Sequence, residues 1–472
     1  MRLRWLGLLF IGVMCFGFTP SVLAQEADEW FLAWTLEGQL LSYTPDGEST
    51  VLIPENVSAN QFRVWRMSDG SMLTLVELND EAETQALYLV TQTTATPITI
   101  AESDVHWFQE SSRLGLAANS ATHAVLVEGE YFQSGNALLV NLVDHSTEFL
   151  AEKVMFTPVR SIAFSEDGLY LRYLRSEQDK AETWTLRERK LETGEERVFY
   201  TIEGHAFPLM NTDSYGEKWL YFDNNVSYEI SRSGDVETTE FENPEDRIIQ
   251  RFVGNHQASW PILCEVDCTL EWKWMPDGET QIFPLPEAGS GFIPAPISQI
   301  GEDQLLVMID SEQFWLLTEG GEPLLLGDWS PQKIVTAPDK LLSPDGRWLL
   351  VLEDAELADS YRILDLLSGE TAVAVEPERD YRILQIFYGD AGFILSEDLI
   401  HFQYYRASDG QVFDLGEPGG IYWHVLADGT LLFNNNRNEE RPRGIYRYNP
   451  DTEEYTLLLE NALSLRVEDP TP

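Results

Sequence analysis

Leu342 to Pro377 reads LSPDGRWLLVLEDAELADSYRILDLLSGETAVAVEP, the fullest copy of a unit that recurs along the chain. Ser343-Pro344-Asp345-Gly346 fits a tight turn, because Pro fixes φ at the second position and Gly tolerates the fourth. Trp348 to Leu352 then places apolar residues at odd and even positions alike, whereas a strand with one wet face alternates. Both faces of this strand must therefore be covered. Tyr361 to Leu366 and Thr371 to Val375 follow as two more strands. They are joined by Leu367-Ser368-Gly369-Glu370, a hairpin connection in which Gly admits φ > 0. A small sheet stacked between two like sheets accounts for the pattern, since it buries the middle strand twice and leaves the outer one half wet.

Outward from this unit, one apolar anchor on each outer hairpin marks ten copies: Leu41, Leu89, Leu139, Leu186, Tyr228, Trp272, Trp315, Ile363, Tyr404 and Tyr446. The spacing is about 45 residues, the period of a four-stranded propeller blade. Six residues beyond the anchor comes a turn glycine in six copies: Gly47, Gly234, Gly278, Gly321, Gly369 and Gly410. The inner halves repeat a polar turn feeding an apolar strand, as in Ser68-Asp69-Gly70 before Met72–Val76, and Ser165-Glu166-Asp167-Gly168 before Leu169–Leu174. No stretch of the mature chain carries a long 3.6-residue periodicity. The fold class is thus all-β, a β-propeller of four-stranded antiparallel blades, with about ten repeats and 8 to 10 blades expected, since rings usually hold about four to eight.

Trp30–Leu36 opens the first copy without an inner strand, and Ala462–Val467 follows the last hairpin as a strand without a partner. Pairing the two would close the ring and remove two open edges. Residues 25–472 are accordingly read as a single propeller. The alternative is two propellers divided at the Pro/Gly-rich connection 286–296.

Residues 1–24 have the layout of a secretory signal peptide: Arg2 and Arg4, an apolar run from Leu6 to Phe18, and Val22-Leu23-Ala24 before the cut. Cys15 lacks the small preceding residue of a lipoprotein signal. Once the leader is cleaved, no membrane span is expected, and the location is secreted or extracytoplasmic, in the periplasm or cell envelope. The formal net charge of −48 argues against nucleic acid and anionic membranes as partners and admits a cationic one. In such a compartment Cys264 and Cys268 are expected to form a local disulfide.

The turns Ser343-Pro344-Asp345-Gly346, Ser165-Glu166-Asp167-Gly168, Glu192-Thr193-Gly194-Glu195 and Leu367-Ser368-Gly369-Glu370 resemble the WD-like repeats of TolB-type bacterial propellers. They also resemble those of the propeller domains in prolyl-oligopeptidase-type proteins. None of the 14 Trp is followed by Asp, a departure from the intracellular WD pattern. The resemblance implies propeller architecture and binding of proteins or ligands, and it carries over no catalytic residue.

The sequence holds no G-x-S-x-G, H-E-x-x-H, Walker A or C-x-x-C motif and no D-x-[DN]-x-[DN]-G calcium loop. No catalytic residue, metal site or cofactor is therefore assigned. Trp65, Trp107, Trp423 and His424 lie on the strands ahead of inner turns, where they would face a central channel and could stack on a sugar or hold a peptide. The function expected is a secreted, non-catalytic, monomeric binding module for a protein, peptide or glycan. The alternative is a carbohydrate-active hydrolase or lyase whose paired carboxylates come from different blades.

Overall fold

The computed structural model describes residues 29–465 and 467, apart from 55–56, 80–84, 101–113, 129–132, 157–160, 178–182, 205–209, 224–225, 242–247, 254–255, 262–267, 275–277, 287–293, 301–302, 310–312, 329–340, 344–345, 353–360, 376–384, 390, 397–401, 417–422 and 436–440. The expected leader and most of the 286–296 connection lie outside the described residues.

Among the described residues the elements are 39 β-strands and no α-helix. In the quoted stretch the strands are Trp348–Leu352, Tyr361–Asp365 and Glu370–Val375, and all five residues of the first are buried on both faces. Ser343 shapes the entry turn. Its N–H donates to the Trp348 carbonyl at 2.8 Å, and its Oγ accepts from the Trp348 N–H at 2.8 Å. Arg347 then bonds Asp365 at 2.8 Å and lies over the Trp348 ring, tying the two strand ends together.

The same meander recurs along the chain, and nine of the ten anchors fall on the third strand from the inner edge of a four-stranded meander, while Ile363 falls on the second of three. Met210–Glu240, Ile248–Pro284, Gln385–Gly416 and Trp423–Glu460 each form a four-stranded antiparallel sheet in sequence order, as do the strands from Val57 to Ile98. Two neighbouring meanders from Leu114 to Glu203 are joined by one ladder contact, Val154 to Arg175. Those from Pro294 to Val375 are joined by Asp328 to Leu352. In the latter the bridge Leu342–Leu349 stands where a fourth, innermost strand would lie.

Of the six glycines six residues beyond an anchor, Gly47, Gly234, Gly369 and Gly410 have φ between 69° and 89°. At Gly321 the preceding Gly320 takes the positive φ (66°) instead, and Gly278 is not left-handed. The Gly369 φ of 71° sits in open space, so a Cβ there meets no neighbour and only backbone strain opposes it. Gly369→Val is expected to lower unfolding free energy by about 1–3 kcal/mol in denaturant melts. An unchanged midpoint would contradict this.

The first sheet departs from sequence order. Its strands run Ser49–Ile53, Leu40–Tyr43, Phe31–Thr35 and then Ala462–Ser464, so the C-terminal strand supplies the fourth member. The register pairs Ala33 with Ser464, Trp34 with Leu463 and Thr35 with Ala462.

Apolar side chains fill the spaces between successive sheets. Trp65, Leu73 and Leu87 of the second meander pack with Leu114, Leu126 and Leu138 of the third. Across the connection at 286–296, Trp260, Phe283 and Leu285 pack with Leu305, Val307 and Leu317. Phe31, Leu41 and Tyr43 of the first meander pack with Leu426, Leu432 and Ile445 of the last.

The sixth meander holds a titratable ring against two Trp of its neighbouring strand. His256, 7% exposed, stacks on Trp272 at 4.5 Å and meets the edge of Trp274 at 4.6 Å. Burial lowers its pKa from 6.5 to about 4. Between those values the unfolded chain binds more protons than the folded one, so this contribution is complete above pH 6.5 and is lost as pH falls toward 4. It amounts to about 2–3 kcal/mol. His256→Phe should flatten the difference between denaturant midpoints at pH 7 and pH 4.5. Equal slopes in parent and variant would exclude the effect.

Candidate functional site

Of the four aromatic and imidazole side chains singled out from the sequence, those of Trp65 and His424 are described, and they belong to different junctions between meanders. Trp65 is 2% exposed and belongs to the core between the second and third meanders. Trp107 lies outside the described residues, and Trp423 is described only through its backbone, paired with Phe433. His424 is half-buried at the junction of last and first meanders. Its Nε2 lies 2.7 Å from Glu29 Oε1, and its ring meets the Phe31 ring edge-on at 4.9 Å. Cys268 is disulfide-bonded, and its expected partner Cys264 lies outside the described residues. No group of three or more His, Cys, Asp or Glu side chains suited to a metal ion occurs among the described residues.

A recess of about 840 Å³ lies elsewhere, where turns of the third, fourth and fifth meanders meet. That volume falls within the ~300–1,000 Å³ of ligand pockets. Its lining includes Ala117, Ala118, Ile162 and Phe164 from strands of the third and fourth meanders. Ile162 and Phe164 are buried, while Val143 and Leu169, also in the lining, are 68% and 52% exposed. A segment lying over these two side chains would remove their apolar surface from water.

The turns that bear these residues are held by their own side chains. In Ser165-Glu166-Asp167-Gly168 the Gly168 N–H donates to the Ser165 carbonyl at 2.9 Å, and Gly168 has a φ of 68°. Asp167 Oδ1 accepts from Ser165 Oγ at 2.6 Å and from the Leu169 N–H at 3.0 Å. The Ser165 hydroxyl, and after it the Leu169 N–H, hold the Asp167 carboxyl below its ordinary pKa, so it is ionised at neutral pH. On the third meander, Asn141 Oδ1 accepts from the N–H groups of Val143 and Asp144, which presents Val143 outward. Ser120 Oγ accepts from the His123 N–H at 3.1 Å, and His123 Nδ1 lies 2.9 Å from Thr122 Oγ1. Desolvation lowers the His123 pKa, against a raising influence from Asp144.

A buried charge network fixes the side contributed by Ser214 and Tyr215. Arg172 is wholly buried; its Nη1 donates to the Tyr215 carbonyl at 2.5 Å and to Glu217 at 2.8 Å, and its Nε to Glu188 at 2.8 Å. Arg197 and Arg232 also reach Glu188, each at 2.8 Å. Burial raises the Glu188 pKa, but the hydrogen bonds from Arg172 and Arg197 outweigh it and hold the carboxyl below its ordinary value. Tyr215 is thus anchored through its backbone to a guanidinium that cannot move without breaking ion pairs.

The recess therefore offers apolar contact, three carboxylates (Glu166, Asp167 and Glu192), the neutral imidazole of His123 and the polar side chains of Asn119, Ser214 and Tyr215. No Lys or Arg belongs to its lining. Sequence reading took Ser165–Gly168 only as a turn, and nothing in the order of residues tied it to Val143 or Tyr215. The available signal was an aliphatic residue, Leu169, directly after the polar turn Ser165–Gly168.

Four-stranded antiparallel meanders packed face to face through apolar cores are sheets of the β-propeller blade type. No family model matches the chain, and no curated protein matches it. Among solved structures the chain is similar to a eukaryotic initiation factor at 10% identity, covering 94% of this chain and 100% of that one with a TM-score of 0.42. It is similar to the β-propeller domain of the trilobed protease from Pyrococcus furiosus at 11% identity, over 74% and 97% of the two chains with a TM-score of 0.29. The third likeness is to BamB from Moraxella catarrhalis at 9% identity, over 68% and 90% with a TM-score of 0.33. The architecture described above rests on the strand ladders and cores of this chain, not on likenesses so distant.

Proposed function

We propose that this chain is an extracytoplasmic, non-catalytic binding propeller whose ligand, a protein or peptide segment, seats in the recess between the third, fourth and fifth meanders. The observation that carries the reading is the 840 Å³ concavity with exposed Val143 and Leu169 at its lining. A single ring of ten blades belongs to the same proposal. It is supported by apolar packing between the first and last meanders and across residues 286–296, and by the pairing of Ala462–Ser464 with Phe31–Thr35. Export is supported by the leader-like residues 1–24, and no helix among the described residues is long and apolar enough to cross a membrane. The strongly acidic chain disfavours nucleic acid as the ligand.

Peptide and glycan arrays probed with the parent and with Ala121→Trp test the reading. Ala121 is an exposed turn residue of the lining, so a Trp there occupies the recess without entering the core. Peptides held by the parent and released by Ala121→Trp are the expected result. Arrays bound by neither protein, bound equally by both, or consumed as glycan substrates would overturn it.

A further inference from the structure

Resting on that reading of the recess, we infer that its occupant is a basic protein segment, one that sets an aliphatic side chain against the apolar floor and a neighbouring Lys or Arg against the carboxylates of Glu166 and Asp167. Three features select this class of ligand over other peptides.

The first is the asymmetry of charge at the rim. Glu166, Asp167 and Glu192 line the recess and are exposed, and no Lys or Arg stands among the lining residues. Glu192 already has a partner in Lys190, at 3.7 Å. Asp167 uses Oδ1 to accept from Ser165 and Leu169, and it forms no ion pair among the described residues. Its Oδ2 is not used by either bond. Glu166, beside it, has neither a hydrogen bond nor an ion pair there. Glu166 thus meets solvent without a partner among the described residues, and Asp167 feels the guanidinium groups of Arg232 and Arg172 without an ion pair to either, in a chain whose formal net charge is −48. A cationic group entering the recess gains from both carboxylates and from the field of the whole protein, whereas an acidic segment is repelled by all of them.

The second is the position of the aliphatic residues. Leu169 directly follows the acidic turn, and Val143 reaches the same lining from a turn of the preceding meander. An occupant that covers Leu169 lies beside the turn that carries Glu166 and Asp167. Covering those side chains contributes about 25 cal/mol for each Å² of apolar surface removed from water, which an inorganic cation or a free sugar cannot supply. The third is size. A recess of 840 Å³ encloses a few side chains and excludes a folded domain, so a segment of extended chain is the form of protein that fits.

The binding of terminally blocked fluorescent peptides to the full chain, followed by anisotropy, tests the inference. The set is Leu-Lys-Val-Lys, its acidic counterpart Leu-Glu-Val-Glu, its neutral counterpart Leu-Gln-Val-Gln, and Gly-Lys-Gly-Lys, which keeps the charge and loses the apolar side chains. Leu-Lys-Val-Lys should bind at least ~10-fold more tightly than the acidic and glycine peptides, and lose affinity on raising salt from about 0.05 to 0.5 M. Glu166→Gln with Asp167→Asn keeps the turn, since the Asn carbonyl still accepts from Leu169, and should weaken the Lys peptide ~3- to 10-fold while leaving the neutral peptide unchanged. Ala121→Trp should abolish binding of every peptide that the parent holds. Loss of the charge preference, with neutral or acidic peptides binding as tightly and still displaced by Ala121→Trp, overturns this inference and leaves the recess reading standing. Binding that Ala121→Trp does not touch, or no binding of any peptide, overturns both.

Discussion

Deleting residues 462–472 is expected to lower the melting temperature by about 5 °C or more and to make the protein prone to aggregate. The strand Ala462–Ser464 completes the first sheet, and its removal bares the edge of Phe31–Thr35 along the register Ala33–Ser464, Trp34–Leu463 and Thr35–Ala462. Polar groups lose partners as well. Ser464 N–H donates to Asn434 Oδ1 at 2.8 Å, and the Tyr43 hydroxyl donates to Ser464 Oγ at 2.9 Å. Asn434 is buried, and a buried polar group left unsatisfied costs about 1–3 kcal/mol. Ala462 leaves the core shared by the first and last meanders, while Leu465 and Val467 leave the one between the first and second. Together these losses reach several kcal/mol, against a net stability of ~5–15 kcal/mol for a typical domain. The uncovered strand edge then offers unpaired backbone groups to other chains. Thermal melts and size-exclusion chromatography read both effects, and a truncated monomer melting with the parent would refute the closed ring.

The second large effect is expected at Arg172. Arg172→Met retains most of the side-chain volume, removes the guanidinium, and should cost about 3 kcal/mol in denaturant unfolding. Breaking a buried pair by removing one partner costs ~3–5 kcal/mol, because the other charge stays behind. Here the lower end applies, since Arg197 and Arg232 still reach Glu188, whose side chain is 5% exposed. The variant should also respond less to acid. The folded Glu188 carboxyl is held below its ordinary value, so its contribution is present above the unfolded value of 4.5 and lost as pH falls through the folded one. With one of its cationic partners removed, that acid-linked loss shrinks. Because Arg172 Nη1 holds the Tyr215 carbonyl, Arg172→Met should weaken recess ligands too, although the residue does not belong to the lining. A variant with parental stability and parental acid response would mean that the network contributes little.

Local chemistry carried most of the architecture. The unbroken apolar run Trp348–Leu352 demanded cover on both faces and received it, and the hairpin at Leu367–Glu370 placed Gly369 at positive φ, because turn type and strand alternation are set by adjacent residues. The anchors from Leu41 to Tyr446 landed on equivalent strands because each meander repeats the same burial problem. Even the pairing of Ala462–Ser464 with Phe31–Thr35 was legible, since an orphan strand at each end implies the other.

What lies between meanders was not. Trp65, which the sequence placed toward a channel, points into the core between sheets, and His424 turns to Glu29 and Phe31 from the other end of the chain. The recess depends on Val143, Leu169 and Tyr215 arriving at one place from three successive turns, and on Arg172 holding the last of them. Alternation and turn propensity report on which residues are buried within a strand or turn. How adjacent sheets pack decides which turns share a surface, so the composition of the recess belongs to the tertiary structure alone.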